Sequence, residues 1–214
     1  MKIILTGATG MVGEGVLLEC LATDDVEKVL VLARKPSGHQ HPKLEEMLVA
    51  DFLALEPSDR LRGYDACFYC AGVSSVGMSE ADYTRVTFDT PTHVAKVLAD
   101  DKMVLVHVSG ASTDGTEHGK VMWARVKGRA ENALMKLPFR AVYNFRPGVM
   151  KPVKGQRNIK TTYRIGLVLL PVLRLFLPIL TLSEVARAML NCVRSGAPKN
   201  VLEVADIKAL AARE

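Results

Sequence analysis

The sequence predicts an α/β chain built on an open, doubly wound parallel sheet with helices on both faces. Three observations carry that expectation. A short β-branched run, Lys2–Leu5, leads into glycines at positions 7, 10 and 13, and an apolar helical pattern (Val12, Val16, Leu17, Cys20) opens directly behind them. Apolar strand-like runs then alternate with helical patterns along the chain. Finally, no linker, repeat or composition break divides the 214 residues. One domain spanning 1–214 is expected, with 160–214 as a C-terminal region on the substrate side or at an interface.

Strand, glycine turn and helix in that order are the context in which a glycine-rich motif signals dinucleotide binding in a Rossmann-like sheet. Gly7 permits the tight turn and Gly10 lets the backbone approach a pyrophosphate. Gly13 allows close packing of helix on strand, and the helix N-terminus offers unpaired N–H groups to phosphate. Thr9, Met11 and Val12 complete the turn and the start of the helix, and belong to the same candidate site.

The second strand is expected at Val26–Arg34. The residue just past it selects the cofactor: an acid binds the 2′-hydroxyl of NAD, whereas arginine accommodates the 2′-phosphate of NADP. Here stand Arg34 and Lys35, so NADP is expected, with NAD as second choice. Pro36–Pro42 is a polar loop whose His39 and His41 read as ordinary loop histidines. A third strand is expected at Met47–Ala50, ending at Asp51-Phe52, and a fourth at Asp65–Cys70. The turn after the fourth (Cys70, Ala71, Gly72) should line the cofactor cleft, because ligands of such sheets bind outside the carboxyl ends of the strands.

Ser79–Asp100 reads as one long helix with a capping-box-like start (Ser79, Asp82), an apolar face through Val86, Thr90, His93 (or Val94) and Val97, and a kink at Pro91. The fifth strand, Lys102–Ser109, runs into a polar loop, Gly110–Gly119. A helix over about 120–137 and a sixth strand, Arg140–Phe145, follow. Ile165–Leu182 carries one charge, Arg174, in eighteen residues. That is close to the ~20 needed to cross a bilayer, but Pro171, Arg174 and Pro178 argue for a pair of short helices covering a substrate or a subunit interface. Membrane-surface association is the less favoured alternative. A helix over Thr181–Ser195 with Ser183 near its cap, a short strand at Asn200–Val204 and a terminal helix from Asp206 close the chain.

Composition narrows the partners. With 49% hydrophobic and 24% charged residues and a net charge of +5, the chain is an ordinary globular one. No Lys/Arg run interleaved with aromatics suggests a nucleic-acid groove. The opening apolar run ends too early for a signal peptide, and four cysteines in apolar surroundings read as reduced core thiols, so a cytoplasmic setting is expected. Cys67-Phe-Tyr-Cys70 has the Cys-x-x-Cys spelling, but on a strand the two side chains face opposite ways.

The glycine spacing in Thr-Gly-Ala-Thr-Gly-Met-Val-Gly, Val-Ser-Gly after strand five, Trp123-x-x-x-Lys127 and Phe-Arg-Pro-Gly after strand six occur together over residues 1 to 150. This constellation resembles the extended and atypical short-chain dehydrogenases/reductases, the NAD(P)-binding epimerase/dehydratase-like group, and within it the small single-domain members similar to the Tat-interacting-protein oxidoreductase. The resemblance implies that Asp51-Phe52 contacts adenine. It also implies that Ser109 is an active-site position and that Lys127 holds the nicotinamide ribose; Ser112 lies on the same loop, where it or Ser109 could orient a substrate oxygen. The superfamily's catalytic tyrosine should stand at position 123, which holds tryptophan instead. Indole has no proton to exchange in the working range.

Tyr83, Asp114 and His118 are the titratable residues expected to face the same cleft. Two functions follow from the sequence. One is an NADP(H)-dependent oxidoreductase acting on a small or apolar carbonyl compound, with a homo-oligomer possible. The other is a catalytically weak NADP(H)-sensing or interaction protein, favoured by Trp123.

Overall fold

The computed structural model describes residues 1–159 and 179–213. Its main sheet has seven parallel strands in the order β3-β2-β1-β4-β5-β6-β9. These are β1 (Lys2–Thr6), β2 (Lys28–Ala33), β3 (Leu44–Leu48), β4 (Ala66–Tyr69), β5 (Val104–Val108), β6 (Ala141–Arg146) and β9 (Val201–Glu203). A minor pair, β7 (Met150–Lys151) and β8 (Leu180–Thr181), lies outside it. The strand order reverses between β1 and β4, which opens a crevice at the carboxyl ends of those two strands.

The central strands are nearly continuous apolar runs because both faces of the sheet are covered. Side chains alternate: Ile3, Leu5, Val29, Val31, Phe68, Val106 and Phe145 pack on one face, under helices α1 (Met11–Ala22), α5 (Leu182–Ser195) and α6 (Val204–Ala211). Ile4, Leu30, Leu32, Cys67, Tyr69 and Leu105 pack on the other, with Leu98 of α3 (Thr90–Leu98) and Leu134 of α4 (Met122–Leu134). Cys67 and Cys70 join opposite clusters, as the strand period requires, and all four cysteines are free thiols.

Several boundaries differ from expectation. The third strand is Leu44–Leu48, not Met47–Ala50. It is the edge strand, half-exposed, and its Glu45 and Glu46 disguise it in sequence while pairing with Lys28 and the Ser37 N–H. The expected long helix is α2 (Glu80–Thr84), a π-helical turn over Arg85–Asp89, and α3. The extra residue of the π turn rotates the buried face onto Tyr83, Thr87, Pro91, Val94 and Leu98, away from Val86 and Thr90. Helix α5 is capped by Thr181 rather than Ser183: Thr181 and Glu184 form a reciprocal capping box, and Ser183 donates to Glu19 at 2.6 Å. Most of the apolar stretch 165–182 lies outside the described residues; its last residues form β8 and open α5. No helix among the described residues is long and apolar enough to cross a membrane.

Candidate functional site

The glycine turn is built as the motif requires. Gly7 has φ +78°, in the left-handed region, and a Cβ there would sit 2.6 Å from the Ala71 nitrogen. Beneath the turn, a Cβ on Gly13 would stand 2.2 Å from the Gly7 carbonyl oxygen, so α1 can approach β1 this closely only with glycine there. The turn also receives a hydrogen bond from the Ala71 N–H to the Thr6 hydroxyl, at 3.2 Å, which joins the ends of β1 and β4.

Above the turn lies a cleft of 860 Å³. Gly7, Thr9 and Gly10 line it from the turn, Arg34 and Lys35 from the end of β2, and Asp51 and Phe52 from beyond β3. Cys70, Ala71 and Gly72 close it from the end of β4. Thus ten of the expected cofactor positions line one cavity. Met11 borders an adjoining cavity. Val12 and Gly13 lie behind the turn, Val12 packing into the core. Sequence reasoning missed Arg85, Val86 and Thr90, which enter the cleft because the π turn swings them there. Arg85 stands 3.9 Å from Asp51, forming a loose exposed ion pair across it.

The expected chemical residues gather at the end of β5, one strand further along. Lys127 reaches from α4 over Gly110, and its Nζ donates to the Ser109 carbonyl oxygen at 3.1 Å. Burial lowers the Lys127 pKa, with Glu131 one turn further along the helix acting against that shift. Ser109 itself is buried, and its hydroxyl lies 3.1 Å from that of Thr113, whose proton goes to the Gly110 carbonyl. The Ser109 hydroxyl is thus engaged with Thr113, a contact with which a substrate oxygen would compete. Ser112 is exposed on the loop, with φ +63°.

Trp123 is half-buried on α4, one turn before Lys127. Of the other titratable candidates, Tyr83 is 1% exposed and belongs to the core, so the expectation that it faces the cleft is corrected. Asp114 organises its own loop: its carboxylate accepts from the Thr116 hydroxyl (2.6 Å) and from the Thr116 and Gly119 N–H groups (3.0 and 2.6 Å). Those bonds hold it below the usual carboxylate range. His118 is exposed.

Two features below this loop were not legible in sequence. Glu131 of α4 is 1% exposed and forms a two-pronged pair with Arg146 of β6, at 3.0 and 2.6 Å. His107 on β5 is buried, with Nδ1 3.0 Å from the Asn144 side-chain oxygen. Burial, reinforced by Lys127, pushes its pKa down to about 4.

Between pH 6.5 and 4 the unfolded chain therefore takes up a proton that the folded chain refuses. Stability attributable to His107 is complete above pH 6.5 and falls as pH drops, by about 3 kcal/mol in all. Urea midpoints measured across this range should show the decline, and His107→Gln should flatten it.

Residues 3–133 match the model of the NAD dependent epimerase/dehydratase family. The chain belongs to that family. The solved structures it resembles share its fold at low identity. MoeE5 in complex with UDP-glucose and NAD aligns at a TM-score of 0.69 and 17% identity, over 99% of this chain and 81% of that one. The UDP-glucuronic acid 4-epimerase of Bacillus cereus in complex with NAD aligns at 0.68 and 15%, over 95% and 76%. A curated relative, leucinostatins biosynthesis cluster protein T of Purpureocillium lilacinum, is 31% identical over 144 residues. That match covers 64% of this chain and 52% of the relative, so the chain spans about half of that protein's length. Family membership accounts for the glycine turn and the β1–β4 crevice.

Proposed function

We propose that this epimerase/dehydratase family member is an NADP(H)-binding oxidoreductase acting on a small or apolar carbonyl compound. The observation that carries the reading is the cleft, in which Arg34 and Lys35 converge with the glycine turn and no acid stands at the end of β2. In this reading the α1 N-terminus and the Gly7–Gly10 backbone receive the diphosphate, and Arg34 with Lys35 receives the 2′-phosphate. Asp51 and Phe52 flank the adenine, Cys70–Gly72 lets the dinucleotide pass close to β4, and Lys127 holds the nicotinamide ribose. The cofactor supplies or accepts a hydride when bound. Ser109 or Ser112 orients a substrate oxygen, and the proton comes from water or a loop group, since indole cannot exchange one.

Losing the Arg34 guanidinium should cost NADPH selectively. Arg34→Ser is expected to weaken NADPH binding about tenfold, the scale of one charge-assisted hydrogen bond, and to leave NADH binding unchanged, as read by cofactor fluorescence. Activity is tested by following NADPH oxidation against a panel of aldehydes and ketones. Trp123 favours a second reading, a catalytically weak NADP(H) sensor: in that case NADPH binds and no panel member is turned over. Trp123→Tyr separates the two. A gain of turnover in the variant says that the site is otherwise complete; none, with binding intact, supports the sensor.

A further inference from the structure

Glu14 occupies the first turn of α1, between Gly13 and Gly15, and is fully buried. A carboxylate there is costly unless donors surround it, and three do. The Arg157 N–H (2.8 Å) and His39 Nε2 (2.9 Å) meet Oε1, and the Asn158 N–H (2.7 Å) meets Oε2. The α1 N-terminus adds a favourable dipole. Burial alone would raise the Glu14 pKa, but the Arg157, Asn158 and His39 bonds outweigh it and hold the group below the usual carboxylate range. His39 therefore binds a buried carboxylate and is not the ordinary loop histidine that the sequence suggested.

The same contacts sew together segments far apart in sequence. Arg157 Nη1 donates to the Gly38 carbonyl at 3.1 Å, so the loop following Arg34 and Lys35 is tied to the segment following β7. The Gln156 side chain accepts from the Val153 N–H (2.8 Å) and donates to the Met11 carbonyl (2.6 Å). The result is a second cavity, of 480 Å³, lined by Arg157, Asn158 and Ile159 on one side and Thr9, Gly10, Met11 and Gly72 on the other. It shares Thr9, Gly10 and Gly72 with the main cleft. Arg157 is exposed at this junction, a cation beside the backbone that the motif assigns to phosphate.

We propose that Glu14 is a positioning residue for the cofactor: its carboxylate fixes Arg157 beside the glycine turn, where the guanidinium contacts the dinucleotide's diphosphate. This rests on the dinucleotide reading above. It adds a cofactor contact from a segment outside the glycine motif, and gives the buried carboxylate a function beyond stapling the fold.

The test uses the whole protein, with NADPH and adenosine 2′-monophosphate as ligands. The monophosphate carries adenine, ribose and the 2′-phosphate but no diphosphate. Arg157→Gln and Glu14→Gln are each expected to weaken NADPH binding about tenfold, with the monophosphate unchanged within about twofold. In the double variant the loss should be no greater than in Arg157→Gln alone, because Glu14 acts through Arg157.

Unchanged NADPH affinity in Arg157→Gln overturns the proposal, as does an equal loss of both ligands in that variant, which would assign its effect to the Gly38 bond that ties the loop after Arg34 and Lys35. So does an equal loss of both ligands in Glu14→Gln, which marks a purely structural staple. If Glu14→Gln does not fold, Arg157→Gln decides alone, since its side chain is exposed. Wild-type protein that binds neither ligand refutes the dinucleotide reading itself, a result distinct from the others.

Discussion

Gly13→Ala is expected to destabilise the protein by about 2–3 kcal/mol, at the upper end of the cost of overpacking, and to lower dinucleotide affinity at least about tenfold. The new methyl group would stand 2.2 Å from the Gly7 oxygen and 2.4 Å from its carbonyl carbon. Both are backbone atoms of the turn, so relief must come from moving the turn or tilting α1. Either motion displaces the N–H groups assigned to phosphate. Gly72→Ala is the control: a Cβ there meets nothing within 4 Å, although the residue lines the same cleft. Denaturant unfolding and a cofactor titration of the two variants should separate loss of architecture from simple narrowing of the cavity.

Glu131→Ala should cost about 3–5 kcal/mol, the range for breaking a buried ion pair on one side. Arg146 is only 15% exposed, and without Glu131 it keeps a single carboxylate partner, Glu203, at 3.1 Å. The pair joins α4, which carries Trp123 and Lys127, to the end of β6, so its loss loosens the Lys127 platform as well as the fold. Glu131→Leu combined with Arg146→Met removes both charges and should restore much of the lost stability. Equilibrium unfolding of the single and double variants checks this; equal destabilisation of both would show that the pair is not the source.

The parts of this fold that were legible in sequence are those buried on two sides. β1, β4, β5 and β6 are largely apolar runs, broken only by residues such as His107 and Asn144, because parallel central strands have no solvent face, and the glycine turn announces itself through three-residue spacing. β3 was misplaced because an edge strand tolerates Glu45 and Glu46. The π turn at Arg85–Asp89 was missed because it leaves no compositional mark, and with it went the entry of Arg85 into the cleft.

The cofactor positions from Gly7 to Gly72 converge largely as read, since each follows a strand end. Glu14 was overlooked for a different reason. Its backbone donors lie 143 and 144 residues away, so no local pattern could reveal them. A glutamate between two glycines in the first turn of α1 was the available signal. Ser109 shows the converse: its position was legible, but its commitment to Thr113 depends on hydroxyl geometry that only coordinates provide.

In the proposed function this cleft takes NADP(H) through the glycine turn and the Arg34–Lys35 pair. Titrating the purified protein with NADPH and with NADH, following cofactor fluorescence, tests it most directly. Saturable binding of both is expected, with NADPH tighter by about tenfold, the scale of one charge-assisted contact. Equal or tighter binding of NADH would contradict it and reduce Arg34 and Lys35 to surface charges.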